Sequence, residues 1–243
     1  MSGHSKWNNI KHKKEKSDAA KAKIFTKIGK EMAVAIKAGG PDPNNNSKLR
    51  DLIAKAKANN VPNENIQRTI KKFSEDSTAD FVEIVYEGYG PSGVAIIVET
   101  STDNRNRTAG NVRAWFNKYG GNMGQTGCVS FLFEEKGVIR ILDEDDEIDE
   151  DKMMEDALEC GAEDIKYDEG EYTIYTATDD LGTVRDAIIA LGYKIDFCDT
   201  AKVPSTYVSL ESQEDIDNMR KMLDKFEEDD DVNAVYTNWD DQE

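Results

Sequence analysis

The side chains in this sequence best suited to chemistry on a partner are cations and planar rings crowded near its beginning. His4-Ser5-Lys6-Trp7-Asn8-Asn9-Ile10-Lys11-His12-Lys13-Lys14 is followed closely by Lys16. Ammonium groups neutralise phosphates and release condensed counterions, and the faces of His4, Trp7 and His12 can stack on unpaired bases, a combination suited to RNA or single strands. The competing reading has Trp7 and Ile10 anchoring this arm to a helical domain. Further on, Lys23, Lys27, Lys30 and Lys37 recur at helical spacing and line up with Lys16. On a helix they form one stripe opposite Ile24, Phe25, Ile28, Met32, Ala35 and Ile36. A stripe of that kind either meets phosphates or simply meets water.

Arg105 and Arg107 form a third group, in Thr102-Asp103-Asn104-Arg105-Asn106-Arg107-Thr108. With Thr102 or Asp103 as a helix cap, both arginines fall in the first turn, where the macrodipole disfavours cations by roughly 0.3–1 kcal/mol each. Breaking a local preference in this way points to a phosphate or the backbone of an acidic partner at the helix N-terminus, or to salt bridges with neighbouring acids.

Catalytic patterns are scarce. Both histidines lie in the arm, and the sequence has no Walker A motif, no G-x-S-x-G and no metal-ligand spacing. Gly88-x-Gly90-x-x-Gly93 matches G-x-G-x-x-G, but a strand rather than a helix follows it, so it reads as a hairpin turn. The acidic run 143–151 has Ile148 where a calcium loop needs glycine, and it reads, like 227–231, as a solvated loop. Glu134-Glu135-Lys136 contains the Glu-x-Lys of some Mg²⁺-dependent nucleases, which leaves a remote nuclease alternative. The expectation is a chain that is not an enzyme, with no cofactor, no bound metal and no small-molecule substrate.

Composition frames these groups. The 243 residues hold 31 Lys+Arg and 49 Asp+Glu, a net charge of −18. That total argues against a basic nucleic-acid coat protein, but it conceals a division at Lys72. Up to that residue there are 17 basic and 6 acidic side chains; beyond it there are 14 and 43. A basic part of +11 is thus joined to an acidic body of −29, an asymmetry that signals nucleic-acid contact. No apolar run approaches a membrane span, the longest being 94–98, and the first residues lack the apolar stretch of a secretory signal. Cys128, Cys160 and Cys198 form no C-x-x-C pair and read as free thiols in a reducing compartment. The expected location is the cytoplasm, with no membrane partner.

The elements that must position these side chains follow from periodicity. A helix over 17–38 is ended by Gly39-Gly40-Pro41, a second is capped by Ser47 and a third by Asn63. Strands are expected over 81–87, 94–100 and 128–133, with a helix over 104–119 between the last two. Next comes strand 137–142, helix 150–160, strands 163–167 and 172–177, helix 181–191 and strand 194–201, the βαββαβ order of a ferredoxin-like unit. Strand 206–210, helix 214–226 and strand 232–237 complete the pattern. The fold class is therefore α+β: a helical domain over 1–78 including the basic arm, a discontinuous domain over 79–135 and 203–239, and a ferredoxin-like domain inserted over 136–202. No helix-turn-helix with a polar recognition helix is evident in this pattern.

With these residues in view, the chain resembles the YebC/PmpR family, whose members include the mitochondrial translational activators of cytochrome oxidase. The matching stretches are Gly3-His4-Ser5-Lys6-Trp7, Gly39-Gly40-Pro41-Asp42-Pro43 through Asn46 and Leu49-Arg50, Asn65-Ile66 to Lys71-Lys72, Tyr86-Glu87-Gly88-Tyr89-Gly90-Pro91, and 102–108. Ser101, Cys128 and Asn63 depart from the family pattern, the last standing where a lysine is expected. The resemblance implies a three-domain α+β architecture, a cytoplasmic bacterial protein and no catalysis. It also implies a probable DNA-binding transcriptional regulator, or alternatively a ribosome-associated translation factor that relieves stalling. The partners to expect are nucleic acid, either DNA or rRNA and tRNA, and the ribosome. The unfolded Lys/His/Trp arm favours RNA slightly.

Overall fold

The computed structural model of the chain describes residues 18–74, 80–143, 147–168 and 170–241. Its contacts divide the chain into two compact units, one over 133–205 and one formed by the remaining described residues. The larger unit begins with three helices, α1 (Asp18–Gly39), α2 (Ser47–Ala58) and α3 (Asn63–Ser74). Their apolar faces meet in a core of Ile28, Met32, Ala35, Ile36, Leu49, Leu52, Ala56 and Ile66. Gly40 takes φ 82°, which lets its N–H return to the Ile36 carbonyl (2.8 Å) and stop α1. The cap of α2 is Asn46 rather than Ser47: its Oδ1 accepts from the Leu49 N–H (3.0 Å). The same buried side chain donates from Nδ2 to the Ala35 and Gly40 carbonyls, both at 2.8 Å. Asn46 outcompetes serine because an amide has both an acceptor for the new helix and donors for the end of the old one.

The sheet of this unit starts with an antiparallel hairpin of β1 (Val82–Tyr89) and β2 (Ala95–Thr102), closed by a 3₁₀ turn over Pro91–Gly93. The glycine-rich segment is the hairpin turn expected from the strand on its far side. After α4 (Arg105–Lys118), the short β3 (Asn122–Met123) pairs with the end of β1. A β-carbon on Gly88 would stand 2.5 Å from the Asn122 carbonyl oxygen, so this close pairing requires glycine.

The strand expected over 128–133 is absent. A 3₁₀ turn occupies Ser130–Leu132, and the strand begins only at Phe133. Glu87, buried in β1, accepts from the backbone N–H groups of Gly127 (2.8 Å), Val129 (2.9 Å) and Ser130 (2.9 Å). The donors that a strand needs are thereby spent on one carboxylate.

The unit over 133–205 contains β4 (Phe133–Leu142), α5 (Glu150–Glu159), β5 (Asp164–Asp168), β6 (Glu171–Thr176), α6 (Leu181–Ala190) and β7 (Phe197–Pro204). The sheet order β5-β6-β4-β7, with every neighbouring pair antiparallel, is the ferredoxin-like arrangement. Its last strand starts three residues later than the sequence suggests. Asp196, just before it, is held by the buried Arg140 (2.8 Å).

The chain then returns to the larger unit with β8 (Val208–Ser209), α7 (Gln213–Glu228), β9 (Val232–Thr237) and β10 (Trp239–Asp240). Strand β9 completes the first sheet in the order β3-β1-β2-β9. Helices α4 and α7 cover one face of that sheet through Val112, Phe116, Met219, Met222, Leu223 and Phe226, which pack on Ile96 and Val98. Helix α1 lies against β1, β2 and β9. Strand β2 is consequently enclosed, and Ala95, Ile96, Ile97 and Val98 are all fully buried. Among the described residues, no helix is long and apolar enough to cross a membrane.

Candidate nucleic-acid interface

Of the side chains expected to meet nucleic acid, His4, Lys6, Trp7, Lys11, His12, Lys13, Lys14 and Lys16 lie outside the described residues. The others can be placed. Lys23, Lys27 and Lys30 occupy one row of α1, and their ammonium groups reach the end of α7 and the turn beyond it. Lys23 donates to the Glu228 carbonyl (2.6 Å), Lys27 to the Glu227 carbonyl (3.1 Å) and Lys30 to the Asp230 carbonyl (2.8 Å). Lys30 also bonds the Asp231 carboxylate at 2.7 Å. The last carbonyls of a helix have no partner within it and carry the negative end of its dipole, so a row of lysines is their natural complement. Lys37 pairs with Asp80. All four described lysines of the stripe thus have internal acceptors, which local periodicity could not reveal because three of those lysines reach acceptors about two hundred residues away.

Asp231 is the centre of a second network. It stands on the turn before β9 with its side chain only 5% exposed. Besides Lys30, it accepts from Arg107 Nη2 (2.6 Å) and Nε (3.2 Å), Thr108 Oγ1 (2.9 Å) and Thr102 Oγ1 (3.2 Å). Burial pushes this carboxyl up, but the bonds from Lys30, Arg107 and Thr108 outweigh burial and hold it down at about 2. Arg107 also reaches Asp103 (2.8 Å). The cation placed against the α4 dipole is therefore compensated within the protein. The cap of α4 is neither Thr102 nor Asp103 but Asn104, whose Oδ1 accepts from the Arg107 N–H (3.1 Å). Arg105 differs from its neighbour: it is exposed and has no hydrogen bond or ion pair among the described residues.

Other features were not visible in the sequence. The run 227–231 reads as solvated, yet Asp231 is buried at 3% exposure. In the sequence Glu87 reads only as part of the stretch shared with the family, without a role, and its carboxyl is held below the usual range because three backbone donors overcome burial. The Glu-x-Lys pair is internal, with Lys136 lying 3.5 Å from Glu134 and 3.3 Å from Glu163. Exposed cations without an ion pair among the described residues lie on the second and third helices and also elsewhere, at Arg105, Arg113, Lys118, Lys152, Lys194 and Lys221. Arg50, Lys57 and Lys71 are exposed with no ion pair among the described residues. Lys72 is also exposed and lies over the Phe73 ring. Over 47–74 there are seven basic side chains and two acidic ones.

Two family models match in succession. The TACO1/YebC protein N-terminal domain covers residues 5–76, and the TACO1/YebC second and third domain covers 81–239. The chain belongs to the TACO1/YebC family. TACO1/YebC relatives share half its residues along its whole length. A protein of Acetivibrio thermocellus named as a probable transcriptional regulatory protein is 53% identical over 240 residues, covering 98% of this chain and 99% of its own. One of the same name from Caldicellulosiruptor bescii is 52% identical over 244 residues and covers both chains fully. Among solved structures, a conserved hypothetical protein of Aquifex aeolicus superposes with a TM-score of 0.85 at 43% identity, over 97% of this chain and 96% of the other. The TACO1/YebC chain accordingly shares the architecture of that crystal structure.

Proposed function

We propose that this TACO1/YebC protein is a non-enzymatic regulator of gene expression in the cytoplasm, and that it acts by binding DNA through its helical segment. The observation that carries this reading is the group of exposed cations left without internal acids on α2 and α3, in a chain whose remainder is strongly acidic. Cations already bonded to carbonyls and carboxylates have little left to offer a phosphate; free ones release counterions on contact. The names of the Acetivibrio and Caldicellulosiruptor relatives support regulation of transcription. In this reading, residues 1–78 contact nucleic acid, 79–135 with 203–239 brace that part, and 136–202 extend the acidic body. The acidic body repels phosphates and confines binding to the basic part.

The test is fluorescence anisotropy of the full chain with labelled duplex DNA, repeated across salt concentration. Four cations of the helical segment, Arg50, Lys57, Lys71 and Lys72, give an expected slope of log K against log salt of about −3 to −4. Sedimentation through sucrose with and without ribosomes decides the alternative. Co-migration at physiological salt, together with weak duplex binding, would replace this reading with a translation factor.

A further inference from the structure

We propose that α3 is the helix that reads DNA sequence in a major groove, with α2 lying across the backbone; this rests on the DNA-binding reading above and assigns its site. The sequence pattern shows no helix-turn-helix, but the structure joins two helices by a short turn, the framework of this mode of recognition, in which the first crosses the backbone and the second enters the groove. Here the connection is four residues long, 59–62, and its geometry is closely specified. Asn60 adopts φ 57°, its N–H returns to the Lys57 carbonyl (3.0 Å), and the Val61 N–H returns to the Ala56 carbonyl (2.9 Å). Those two bonds make a Schellman motif, with asparagine tolerating the left-handed residue. Val61 then packs against the helical core, which fixes how α3 leaves the turn.

The start of α3 frees the side chain that sequence reasoning assigns to capping. The Pro62 carbonyl accepts from the Asn65 (2.9 Å) and Ile66 (3.2 Å) N–H groups. Asn63 remains exposed, without a hydrogen bond among the described residues. Buried Ile66, with partly buried Ile70 and Phe73, faces the core. The side away from the core carries the row Glu64-Arg68-Lys72 and Lys71, with Gln67 at its edge, all exposed; Asn63, seven residues before Ile70, stands on the core side of the first turn. At 1.5 Å per residue the row from Glu64 to Lys72 runs for about 12 Å, similar to the ~12 Å width of the major groove. Its chemistry is graded along the helix. Gln67 and Arg68, of the side-chain types that form paired hydrogen bonds with adenine and guanine edges, occupy the second turn. Arg68 holds Glu64 at 3.2 Å, but both side chains are exposed, and an exposed pair of this kind is weak enough to exchange for a base edge. The lysines follow at the end, where phosphates would lie. On α2, Arg50 and Lys57 are seven residues apart and exposed, so both project from one face. Helices α2 and α3 together carry a net charge of +5, which complements the phosphates of a duplex.

The experiment uses the full-length protein. Binding sites are selected from a random duplex library by the wild type, by a Gln67→Ala/Arg68→Ala variant and by a Lys71→Gln/Lys72→Gln variant, with urea midpoints and circular dichroism confirming that each folds. The wild type should enrich a short motif. Gln67→Ala/Arg68→Ala should lose that enrichment and bind the selected duplex at least ten-fold more weakly, while its affinity for random duplex stays within about two-fold. Lys71→Gln/Lys72→Gln should weaken binding to every duplex and reduce the salt slope by about two. A wild type that enriches a motif which Gln67→Ala/Arg68→Ala enriches equally well would overturn the assignment of α3 and leave DNA binding intact. Duplex binding without any enriched motif would also overturn the reading role. A wild type that binds only single strands, folded RNA or ribosomes would overturn both this proposal and the function on which it rests.

Discussion

Replacing Asp231 with asparagine should cost the protein roughly 2–3 kcal/mol at neutral pH, and the cost should depend on pH in a defined direction. The carboxylate receives hydrogen bonds from Lys30, Arg107, Thr102 and Thr108 on a nearly buried site. These bonds hold its pKa at about 2 against an ordinary 3.8. At about 1.4 kcal/mol per pH unit, the difference corresponds to ~2.5 kcal/mol of folding free energy. The amide introduced by Asp231→Asn would keep one acceptor but would point an NH₂ at donors, and Lys30, 15% exposed, would stay largely desolvated without its counter-charge. Loss of one partner from a buried pair can cost about 3–5 kcal/mol. Arg107 is 47% exposed and regains water, so the lower part of the range is expected.

The sign follows from the depressed pKa. The carboxylate stabilises the fold fully above its unfolded pKa near 4, and that contribution is lost as pH falls towards 2. Urea unfolding, followed by the fluorescence of Trp115 and Trp239 in the same unit, should give a wild-type-minus-variant difference that is constant from about pH 7 to 5, shrinks below about 4 and has largely vanished near 2. A difference under roughly 0.5 kcal/mol at pH 7, or one that persists unchanged to pH 2, would refute the role assigned to this carboxylate.

Three further outcomes can be checked. Asn46→Ala removes a helix cap and strands the Ala35 and Gly40 carbonyls, so denaturant melts should show a loss of about 2 kcal/mol. Glu87→Gln should lower hydrogen-exchange protection at the Val129 and Ser130 amides about ten-fold or more; since the Glu87 carboxyl is held below its ordinary value, the wild-type protection should weaken as pH falls through the carboxylate range. Cys198 should be the slowest thiol towards an aromatic disulfide reagent at pH 8, because burial pushes it up to about 11 and leaves roughly one thiolate in a thousand; its rate should climb about ten-fold per pH unit.

The sequence made the large elements legible because periodicity and punctuation are local. Helices α1 to α7 and the ferredoxin-like order follow from apolar spacing, Gly39-Gly40-Pro41 and the strand after Gly93. Misreadings arose where a distant group took control of the backbone. The residues Cys128-Val129-Ser130-Phe131-Leu132-Phe133 have strand-forming side chains, but Glu87, about forty residues earlier, captures three of the nearby N–H groups and bends the chain into a turn. Both helix caps placed on neighbouring residues went to asparagines, Asn46 and Asn104, whose side chains met the geometry one or two positions away. At the candidate site, the lysines of α1 and the arginines of α4 were legible as unusual charges. Their partners were not, because nothing near residue 30 or residue 107 announces a carboxylate at 231.

Charge position acquires a physical meaning from those partners. A lysine row opposite an apolar face would ordinarily be offered to solvent, but here the acidic body takes it up: the last carbonyls of α7 and the Asp231 carboxylate bind Lys23, Lys27 and Lys30. The same acid neutralises Arg107 and leaves Arg105 alone. An acidic segment packed on a basic helix therefore does two jobs at once. It ties α1 to the sheet through charge-assisted bonds on a partly desolvated surface, where salt screens them less than it screens exposed pairs. It also engages Lys23, Lys27 and Lys30, which would otherwise be offered to any polyanion. The exposed cations that remain include Arg50 and Lys57 on α2 and Arg68, Lys71 and Lys72 on α3, the latter helix also carrying Gln67. In the DNA-binding reading proposed above, fewer free charges would weaken affinity for every phosphate backbone alike, so a larger share of the binding energy would come from groups that touch bases, and discrimination between sequences would rise as bulk attraction falls.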